Sequence, residues 1–441
     1  MTAAGGSDDK LALVRQVEKT LDKADVSVQA LRWHGRSIYR VPAHIKDLNP
    51  KAYKPQVVSL GPFHHGDPEL VPMEEHKRRA LQHLLQRAKR PLQEFVAGVE
   101  EVAEQLESVY LDLGSEWCGV VGRMRFLEMM IVDGCFLLEV MRAARNTGDD
   151  YAPDDPVFSH HGVLCMVPYI RRDILMLENQ VPLLLLQKLV AAETGKPPKD
   201  DVINMMVLRF MSSLSWLRVT GSSLGLHPLD VLRRSMLYGP YQASQQDEKG
   251  HVPETNIIRS AVELRQAGIR FKKSDSDSLQ NLRFWHGVLN IPAVSVDDST
   301  EYMFLNMMAF ERLHAETGKD VTAFVFFMDN IIKSAKDVAL LRRSGIIQNA
   351  VGSDEAVAKL FASMSKDIVL KPEGALNAVH RAANAYCNKR WNKWRANIFH
   401  NYFRSPTSLL NFLAAVIALV MIITRTAYTI MCYYQLKAAD Y

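Results

Sequence analysis

Two adjacent histidines lie in a stretch rich in glycine and proline, SLGPFHHGDPEL, which runs from Ser59 to Leu70. His64 and His65 are followed within three residues by Asp67. Imidazole and carboxylate groups are common zinc ligands, and together they also perform general acid–base chemistry. This loop is therefore the first place to look for a chemical site.

A metal site here would need ligands from distant segments. Neighbouring residues in an extended chain point to opposite faces, so His64 and His65 do not easily share one ion. A second pair, His160 and His161, also precedes a glycine and supplies the same ligand type. We interpret His64, His65 and Asp67 as a structural turn or a partner contact, which imidazole would make sensitive to pH. The four histidines remain secondary candidates for metal binding, and we predict no cofactor.

The segment GSSLG, residues 221–225, matches the G-x-S-x-G pattern of serine hydrolases, with Ser223 as the nucleophile. That chemistry needs a strand, a sharp turn and a helix within a parallel sheet. Pro228 follows soon after, and strands and helices do not alternate along the chain. A serine hydrolase, or a metal-dependent enzyme that uses the histidine loops, is kept as the alternative to a protein without enzymatic activity.

Three carboxylates, Asp133, Glu139 and Glu178, lie in or beside apolar stretches. Paired buried carboxylates can perform acid–base work. Such groups more often accept hydrogen bonds from helix ends or pair with arginines, for which Arg123 and Arg125 are the nearest candidates. The segment ENQVP after the third carboxylate is typical of a polar junction that satisfies two helix ends.

The elements that must position these residues are mainly helices. Apolar residues recur at helical spacing over about residues 10–35, 73–110 (with a kink at Pro91), 115–145 and 168–190. Residues 238–256 are polar without an apolar period and are typical of a mobile linker. Short runs rich in Val, Ile, Phe and Trp predict a small β patch near residues 268–297. The predicted fold is mainly α, with a large multi-helix body.

Composition excludes several classes of protein. The 441 residues are 48% hydrophobic and 23% charged, which is typical of a globular chain. Five widely spaced cysteines without a CxxC pair argue against a disulfide scaffold and a structural zinc site. The N-terminal residues contain no apolar segment typical of a secretory signal peptide.

The net charge of +4 conceals an asymmetry. Residues 1–373 hold 45 basic and 48 acidic side chains, whereas residues 374–439 hold eight basic side chains and no acidic one. A nucleic-acid-binding protein more often distributes its basic residues over a folded face. We therefore expect no nucleic-acid partner.

The C-terminal region contains the strongest pattern in the chain. The run Thr407–Thr424 contains no charged side chain. A helix needs about 20 apolar residues to cross a hydrocarbon core of roughly 30 Å, and this run comes close to that length. Tryptophan and tyrosine near both ends match the aromatic belts of membrane proteins. We predict one transmembrane helix over residues 405–425, with a lipid bilayer as partner; a buried core helix is the alternative.

Charge on either side of this segment predicts its orientation. The basic residues before it are Lys389, Arg390, Lys393, Arg395 and Arg404. Only Arg425 and Lys437 follow. Because basic residues favour the cytosolic side, we predict a single-pass, tail-anchored protein of the plasma membrane or an endomembrane, with its body in the cytosol. The basic helix before the anchor either lies against anionic lipid or packs on the body with a solvated face.

A set of motifs resembles the plant "domain of unknown function 247" family. The resemblance covers roughly residues 28–430 and keeps the family's order. The motifs are IYRVP (38–42), QVVSLGPFHHG (56–66), MEEHK (73–77), MMIVDGCFLLE (129–139), LENQVP (177–182), AVELRQAGIRFKKS (261–274), GVLNIPAVSVDDST (287–300) and FMDNIIKSAKDVALLRRSGII (327–347).

The resemblance implies a large helical body followed by one C-terminal membrane helix. Grass members of the family are implicated in pollen–stigma self-incompatibility, and no enzymatic activity is established for it. Family members are usually interpreted as extracellular, which opposes the orientation predicted from charge, so both orientations stay open.

The resulting expectation is a membrane-anchored, non-enzymatic plant protein that acts in protein–protein recognition or signalling. We divide it into a variable N-terminal segment (1–27), a helical body (28–400, with the linker at 238–256 inside it), a transmembrane helix (405–425) and a short tail (426–441). The protein partner and the oligomeric state are left open.

Overall fold

Helices form most of the chain, and a small amount of sheet lies in its C-terminal half, as the sequence predicts. The computed structural model describes residues 12–15, 17, 35–145, 151–211, 223–239, 259–366, 375–392, 395 and 406–439. The predicted linker at 238–256 lies outside the described residues from residue 240 onward, and so does most of the helix predicted over residues 10–35.

The N-terminal half is built from helices that surround one apolar helix. They are α1 (Ala43–Lys46), α2 (Pro72–Ala88), α3 (Leu92–Glu100), α4 (Ala103–Ser108), α5 (Gly119–Ala143), α6 (His160–Ile174), α7 (Leu183–Thr194), α8 (Asp200–Met211) and α9 (Pro228–Leu237). Single 3₁₀ turns precede α2 and α5, at Pro50–Ala52 and Ser115–Trp117.

Helix α5 is the centre of this half, because from Phe126 onward it is buried on nearly every side. It packs against α2, α3 and α7. The close approach of α7 depends on Gly134, since a methyl group at that position would overlap Leu189. Each fully buried Leu or Phe side chain contributes about 1.5–3 kcal/mol, so this helix supplies much of the hydrophobic core.

The C-terminal half combines helices with two small sheets. Its helices are α10 (Ala261–Gln266), α11 (Thr300–Leu313), α12 (Asp320–Ile331), α13 (Ala335–Arg343), α14 (Asp354–Met364), α15 (Ala375–Asn388) and α16 (Pro406–Ala439). Its strands are β1 (Arg270–Lys273), β2 (Arg283–Trp285), β3 (Val288–Ile291), β4 (Val294–Val296) and β5 (Ile347–Asn349).

The first sheet has the order β1-β3-β2, with β1 parallel and β2 antiparallel to β3. A two-residue turn joins β2 to β3 at His286 and Gly287, whose φ angles are 45° and 76°. Two positive φ angles are what a type I′ hairpin turn requires. Strands β4 and β5 form a separate parallel pair.

Two predicted element boundaries differ from the structure. Residues 73–110 do not form one kinked helix, because α2 ends at Ala88, where Lys89 adopts a left-handed φ of 52°, and α3 begins after Pro91. The C-terminal helix does not end near Thr424 but continues to Ala439. Its additional turns follow the apolar and aromatic residues beyond Arg425, which raise no barrier to a helix.

Candidate functional site

The segment that leads into the histidine loop is held by two polar side chains from the other side of the fold. The backbone N–H groups of residues 56–58 all donate to the Asp173 carboxylate, at 2.7–3.1 Å. Asn179 accepts from the N–H of Leu60 at 2.7 Å and donates to the carbonyl of Val58 at 3.0 Å. Because both side chains are buried, these bonds replace the strand partner that the segment lacks.

A buried ion pair lies beneath the next residues of this segment. Lys77 Nζ lies 2.7 Å from Asp133 Oδ1, 2.6 Å from Glu74 Oε1 and 3.1 Å from Ser59 Oγ. Asp133 also accepts from the N–H of Gly61 at 2.8 Å. Burial raises the pKa of the Asp133 carboxyl, while the Lys77 ammonium and the Gly61 N–H oppose that shift. We name the set of Lys77, Asp133, Asp173 and Asn179 the polar clamp.

Gly61 is where the clamped segment turns toward the surface. Its φ is 73°, and a Cβ there would lie 2.8 Å from the carbonyl oxygen of Gln180 and 2.9 Å from the hydroxyl of Tyr110. Tyr110 donates that hydroxyl to the same carbonyl at 2.9 Å. Only glycine fits this conformation and this space without strain.

His64 lies between two carboxylates. Its Nδ1 is 3.1 Å from Asp67 Oδ2, and its Nε2 is 3.5 Å from Glu178 Oε2. Burial would raise the pKa of Glu178, but hydrogen bonds from His64, Lys46 and the N–H of Val41 outweigh it and lower the pKa. Both ring nitrogens of His64 therefore face carboxylates, and its side chain joins the loop to the body.

His65 points instead into an open cleft. Its ring meets that of Trp117 edge-on, with centroids 5.5 Å apart. The cleft has a volume of about 430 Å³. Its walls are formed by Pro62, His65, Glu74, Arg78, Glu116, Trp117, Arg125, Glu128, Met129 and Val132. We name it the His65 cleft.

The His65 cleft carries charges of both signs on a rigid base. Arg78, Glu116, Arg125 and Glu128 are exposed around the buried Trp117. Glu74 lines the cleft and accepts a hydrogen bond from Lys77, so it connects the cleft to the polar clamp. Of these wall residues, only Arg125 was named from the sequence, and then as a partner for a buried carboxylate. The available signal was that residues 125, 128, 129 and 132 share one face of an otherwise apolar helix.

The two histidine pairs do not assemble a metal site. His160 and His161 begin α6, where Ser159 caps the helix by accepting from the N–H of Gly162 at 3.0 Å. His161 Nε2 lies 3.6 Å from the sulfur of Cys165. Among the residues that the structure describes, no three His, Cys, Asp or Glu side chains are grouped so as to hold a metal ion.

The described part of GSSLG forms a loop. The carbonyl of Ser223 accepts from Asn204 Nδ2 at 2.9 Å, and the next two N–H groups donate to Asp200 and Asn204. Residues 223–227 are irregular before α9 begins at Pro228. The described part of the motif contains no strand before α9. The earlier part of the motif lies outside the described residues.

Glu139 belongs to a second buried charge cluster. Its carboxylate accepts hydrogen bonds from Arg87, Arg142 and Tyr151. Arg142 also bonds both oxygens of Glu193, at 2.8 and 3.0 Å. Burial raises the pKa of Glu139, against the opposing effect of Tyr151 and Arg87. This carboxylate is thus held by cations and a hydroxyl.

The prediction that Arg123 pairs with one of the three buried carboxylates is wrong, because its Nε lies 3.3 Å from Glu107. The prediction for ENQVP is confirmed. The Gln180 amide nitrogen donates to the carbonyl of Ile174, the last residue of α6, and to that of Met176 just beyond it, at 2.8 Å for the latter. The Gln180 amide oxygen accepts from the N–H of Leu229 in α9 at 3.1 Å.

The basic residues near the predicted membrane segment are only partly described. Lys389, Arg390 and Arg395 are exposed. Lys393 and Arg404 lie outside the described residues. The ammonium of Lys389 lies 5.8 Å from the ring centre of Tyr386.

Helix α16 is long and apolar enough to cross a membrane. Within it, Leu413–Met431 has a mean hydropathy of 2.0, and none of that stretch is buried against the body. Arg425 lies inside this stretch, toward its C-terminal end. The expectation of a buried core helix does not fit this full exposure.

The chain as a whole matches a family model described as a plant protein of unknown function, domain of unknown function 247, over residues 38–421. The chain belongs to this family. The resemblance inferred from the motifs is thereby confirmed.

Two relatives from Arabidopsis thaliana align over nearly the whole chain. "UPF0481 protein At3g47200" is 30% identical over 434 residues, which cover 91% of this chain and 88% of the relative. "Putative UPF0481 protein At3g02645" is 23% identical, with 94% of each chain covered. No solved structure matches this chain significantly.

The structure gives the motifs of this domain of unknown function 247 chain a common location. QVVSLGPFHHG is the clamped segment and the histidine loop, MEEHK contributes Lys77, MMIVDGCFLLE contributes Asp133, and LENQVP contributes Asn179. Four motifs from three separate parts of the chain thus meet at one place, beside the His65 cleft.

Proposed function

We propose that this protein is a single-pass membrane protein whose helical body recognises another protein through the His65 cleft, without catalysis. The observation that carries the anchor is the complete exposure of Leu413–Met431 beside a body whose other long helices bury an apolar face. In water such an exposed apolar surface would be unfavourable by roughly 25 cal/mol per Å², and a bilayer removes that cost.

The cleft supports recognition in three ways. It is open, it offers an aromatic floor in Trp117, and its exposed rim carries two arginines and two glutamates. Aromatic and arginine side chains dominate the binding energy of protein interfaces. The clamp beneath it keeps the walls in place before a partner arrives, which lowers the entropic cost of binding.

We further propose that the body faces the cytosol, because three described basic residues, Lys389, Arg390 and Arg395, precede α16, whereas Lys437 is the one cation of the sequence beyond its apolar stretch. The grass members of the family support a recognition role of the self-incompatibility type, which would require the opposite orientation. Orientation therefore decides the class of partner.

The first test is topology. A small tag is placed at each end, and sealed membranes are subjected to carbonate extraction and protease digestion. We expect the protein to resist carbonate, and protease to digest the body and leave a short C-terminal fragment. Release by carbonate would contradict the anchor. A protected body would contradict the cytosolic orientation and favour recognition between cells.

The second test addresses the cleft. Arg78→Glu with Arg125→Glu should reduce proximity labelling of the partner in plant cells, while Lys196→Glu with Lys199→Glu, an equal charge change on an exposed loop elsewhere, should not. Equal labelling by both variants would contradict the assignment of the cleft. Labelling of Ser223 by a fluorophosphonate probe, abolished in Ser223→Ala, would contradict the non-enzymatic proposal.

A further inference from the structure

The three-stranded sheet has one apolar face and one basic face. In the register of the strands, Phe271, Leu289 and Phe284 are aligned across the sheet, and this row packs against the core. Lys273 and Ile291 lie on the same side as this row, and the residues that alternate with them form the opposite face. They are Arg270, Lys272, Arg283, Trp285, Val288 and Asn290.

This second face, which we name the basic sheet face, stands out from the rest of the body. Arg270 and Lys272 are exposed, and Trp285 is 60% exposed. The strands contribute no acidic residue to it. On this face, the ammonium of Lys272 lies 3.9 Å from Asp275 in the following loop. A cationic face with an exposed tryptophan is unexpected on a body in which acidic side chains outnumber basic ones.

The location of the face relative to the anchor identifies its partner. Arg270 and Trp285 both align with Val288, at the end of the sheet nearest the hairpin turn. The side chain of Arg395 reaches this end, since its guanidinium lies against Gly268. Tyr386 of α15 packs edge-on against Phe284 at 5.6 Å.

The chain between Arg395 and the start of α16 is short. Ten residues separate Arg395 from Pro406, which fully extended span at most about 40 Å. The apolar stretch of α16 begins seven residues later, at Leu413, and a helix rises about 1.5 Å per residue, so this stretch begins within roughly 50 Å of Arg395. Lys389 and Arg390 add two exposed cations on the same approach.

We propose that the basic sheet face docks on the anionic headgroups of the bilayer in which α16 is anchored, with Trp285 at the headgroup level. This inference rests on the membrane anchor of the proposed function. Basic residues near an anionic surface each strengthen its attraction, and tryptophan is the side chain most enriched at membrane interfaces. Docking holds the body in a defined orientation to the membrane.

The test uses the full-length protein in nanodiscs that contain lipids brominated at a shallow position of the acyl chain, because bromine quenches nearby tryptophan. One set of discs contains phosphatidylcholine alone, and the other also contains phosphatidylserine. The signal of Trp285 is the quenching lost in Trp285→Phe. With six tryptophans in the chain, we expect it to be up to about one sixth of the emission in anionic discs, and absent in neutral discs.

The charge variants sharpen the assignment. Arg270→Glu with Lys272→Glu should lower the ratio of docked to undocked protein by about 30-fold or more, which removes the Trp285 signal. Lys196→Glu with Lys199→Glu, the matched control, should keep it. A higher salt concentration should weaken the Trp285 signal of the wild-type protein.

The experiment gives different results if the docking proposal is wrong and if the membrane anchor is wrong. Protein that stays in the discs without a Trp285 signal, or with equal signals in both lipids, would overturn the docking and leave the face to an acidic protein. Protein that does not remain in the discs at all would overturn the anchor itself.

Discussion

Lys77 Nζ lies 2.7 Å from Asp133 Oδ1, and both side chains are almost completely buried. The pair joins α2 to α5, and through the Gly61 N–H it also fixes the segment that leads to the histidine loop. A buried ion pair seldom adds net stability, but loss of one partner leaves the other charge without compensation. The pair therefore specifies which surfaces of the two helices meet.

Lys77→Met should lower the free energy of unfolding by about 3–5 kcal/mol, because it leaves Asp133 charged and buried with only one N–H donor. Asp133→Asn should cost less, because Lys77 keeps Glu74 at 2.6 Å. The double variant should be more stable than the sum of the single effects predicts. Urea unfolding in detergent, followed by circular dichroism, measures these differences. Strict additivity would contradict a coupled pair.

Gly61→Ala should destabilise the protein by about 2–5 kcal/mol, because it combines a positive φ with an overlap with the backbone oxygen of Gln180. Gly66→Ala is a matched control. Its φ is 85°, but nothing lies within 4 Å of the added methyl group, so only the backbone strain of about 1–2 kcal/mol remains. Equal losses of stability would show that close packing at Gly61 is unimportant.

His227 should make stability depend on pH. It is fully buried, its Nε2 lies 3.1 Å from the carbonyl of Ser37, and its Nδ1 accepts from the N–H of Asp230 at 3.3 Å. Burial lowers the pKa of His227 to about 4, despite the opposing charge of Asp230. Protonation would remove the acceptor that caps α9.

The sign of this dependence follows from proton binding. Between the ordinary pKa of 6.5 and the folded value of about 4, the unfolded chain binds the proton and the folded chain does not. The stability that the neutral His227 gives the folded state is therefore complete above pH 6.5. It decreases as the pH falls, by about 3 kcal/mol at pH 4. His227→Asn keeps a capping side chain. Its free energy of unfolding should fall by about 3 kcal/mol less than that of the wild type over the same pH range. Parallel pH profiles would refute the assignment. The pKa of His314 is also lowered, chiefly by burial, and its contribution cancels in the comparison.

Two arginines in the middle of α16 should prevent membrane insertion. Leu419→Arg with Ile422→Arg places two charges near the centre of Leu413–Met431, at a cost of about 5–7 kcal/mol. The fraction that resists carbonate should fall to near zero. Leu436→Arg, beyond the apolar stretch, should leave that fraction unchanged. Resistance in the double variant would indicate attachment by other means.

The helices and strands whose type follows from their own residues could be predicted from the sequence. Helix α5 is largely apolar from Phe126 onward, and the β patch is rich in Val, Phe and Trp, so both follow from local pattern. The break between α2 and α3 was predicted only as a kink. The left-handed turn there is taken by Lys89, a residue type that carries no turn signal.

The clamp could be predicted only in part. Lys77 stands in register with the buried residues Met73, Ala80 and Leu84 of α2, and a lysine in that row requires a buried acidic partner. The partner, Asp133, belongs to another helix much further along the chain, and nothing in the local pattern connects the two. The contact between His65 and Trp117 could not be predicted from local pattern either, because the packing of α2 against α5 brings these two residues together.

The clamp also sets the order in which the chain can fold during synthesis. The N–H groups of residues 56–58 and of Leu60 donate to Asp173 and Asn179, which are synthesised much later. A ribosome adds roughly 5–20 residues per second, so these groups wait about 6 to 24 seconds for their partners. During that interval an apolar run with unpaired backbone emerges from the ribosome. Nascent chains of this family should therefore depend on chaperones until α6 and the junction after it have left the ribosome.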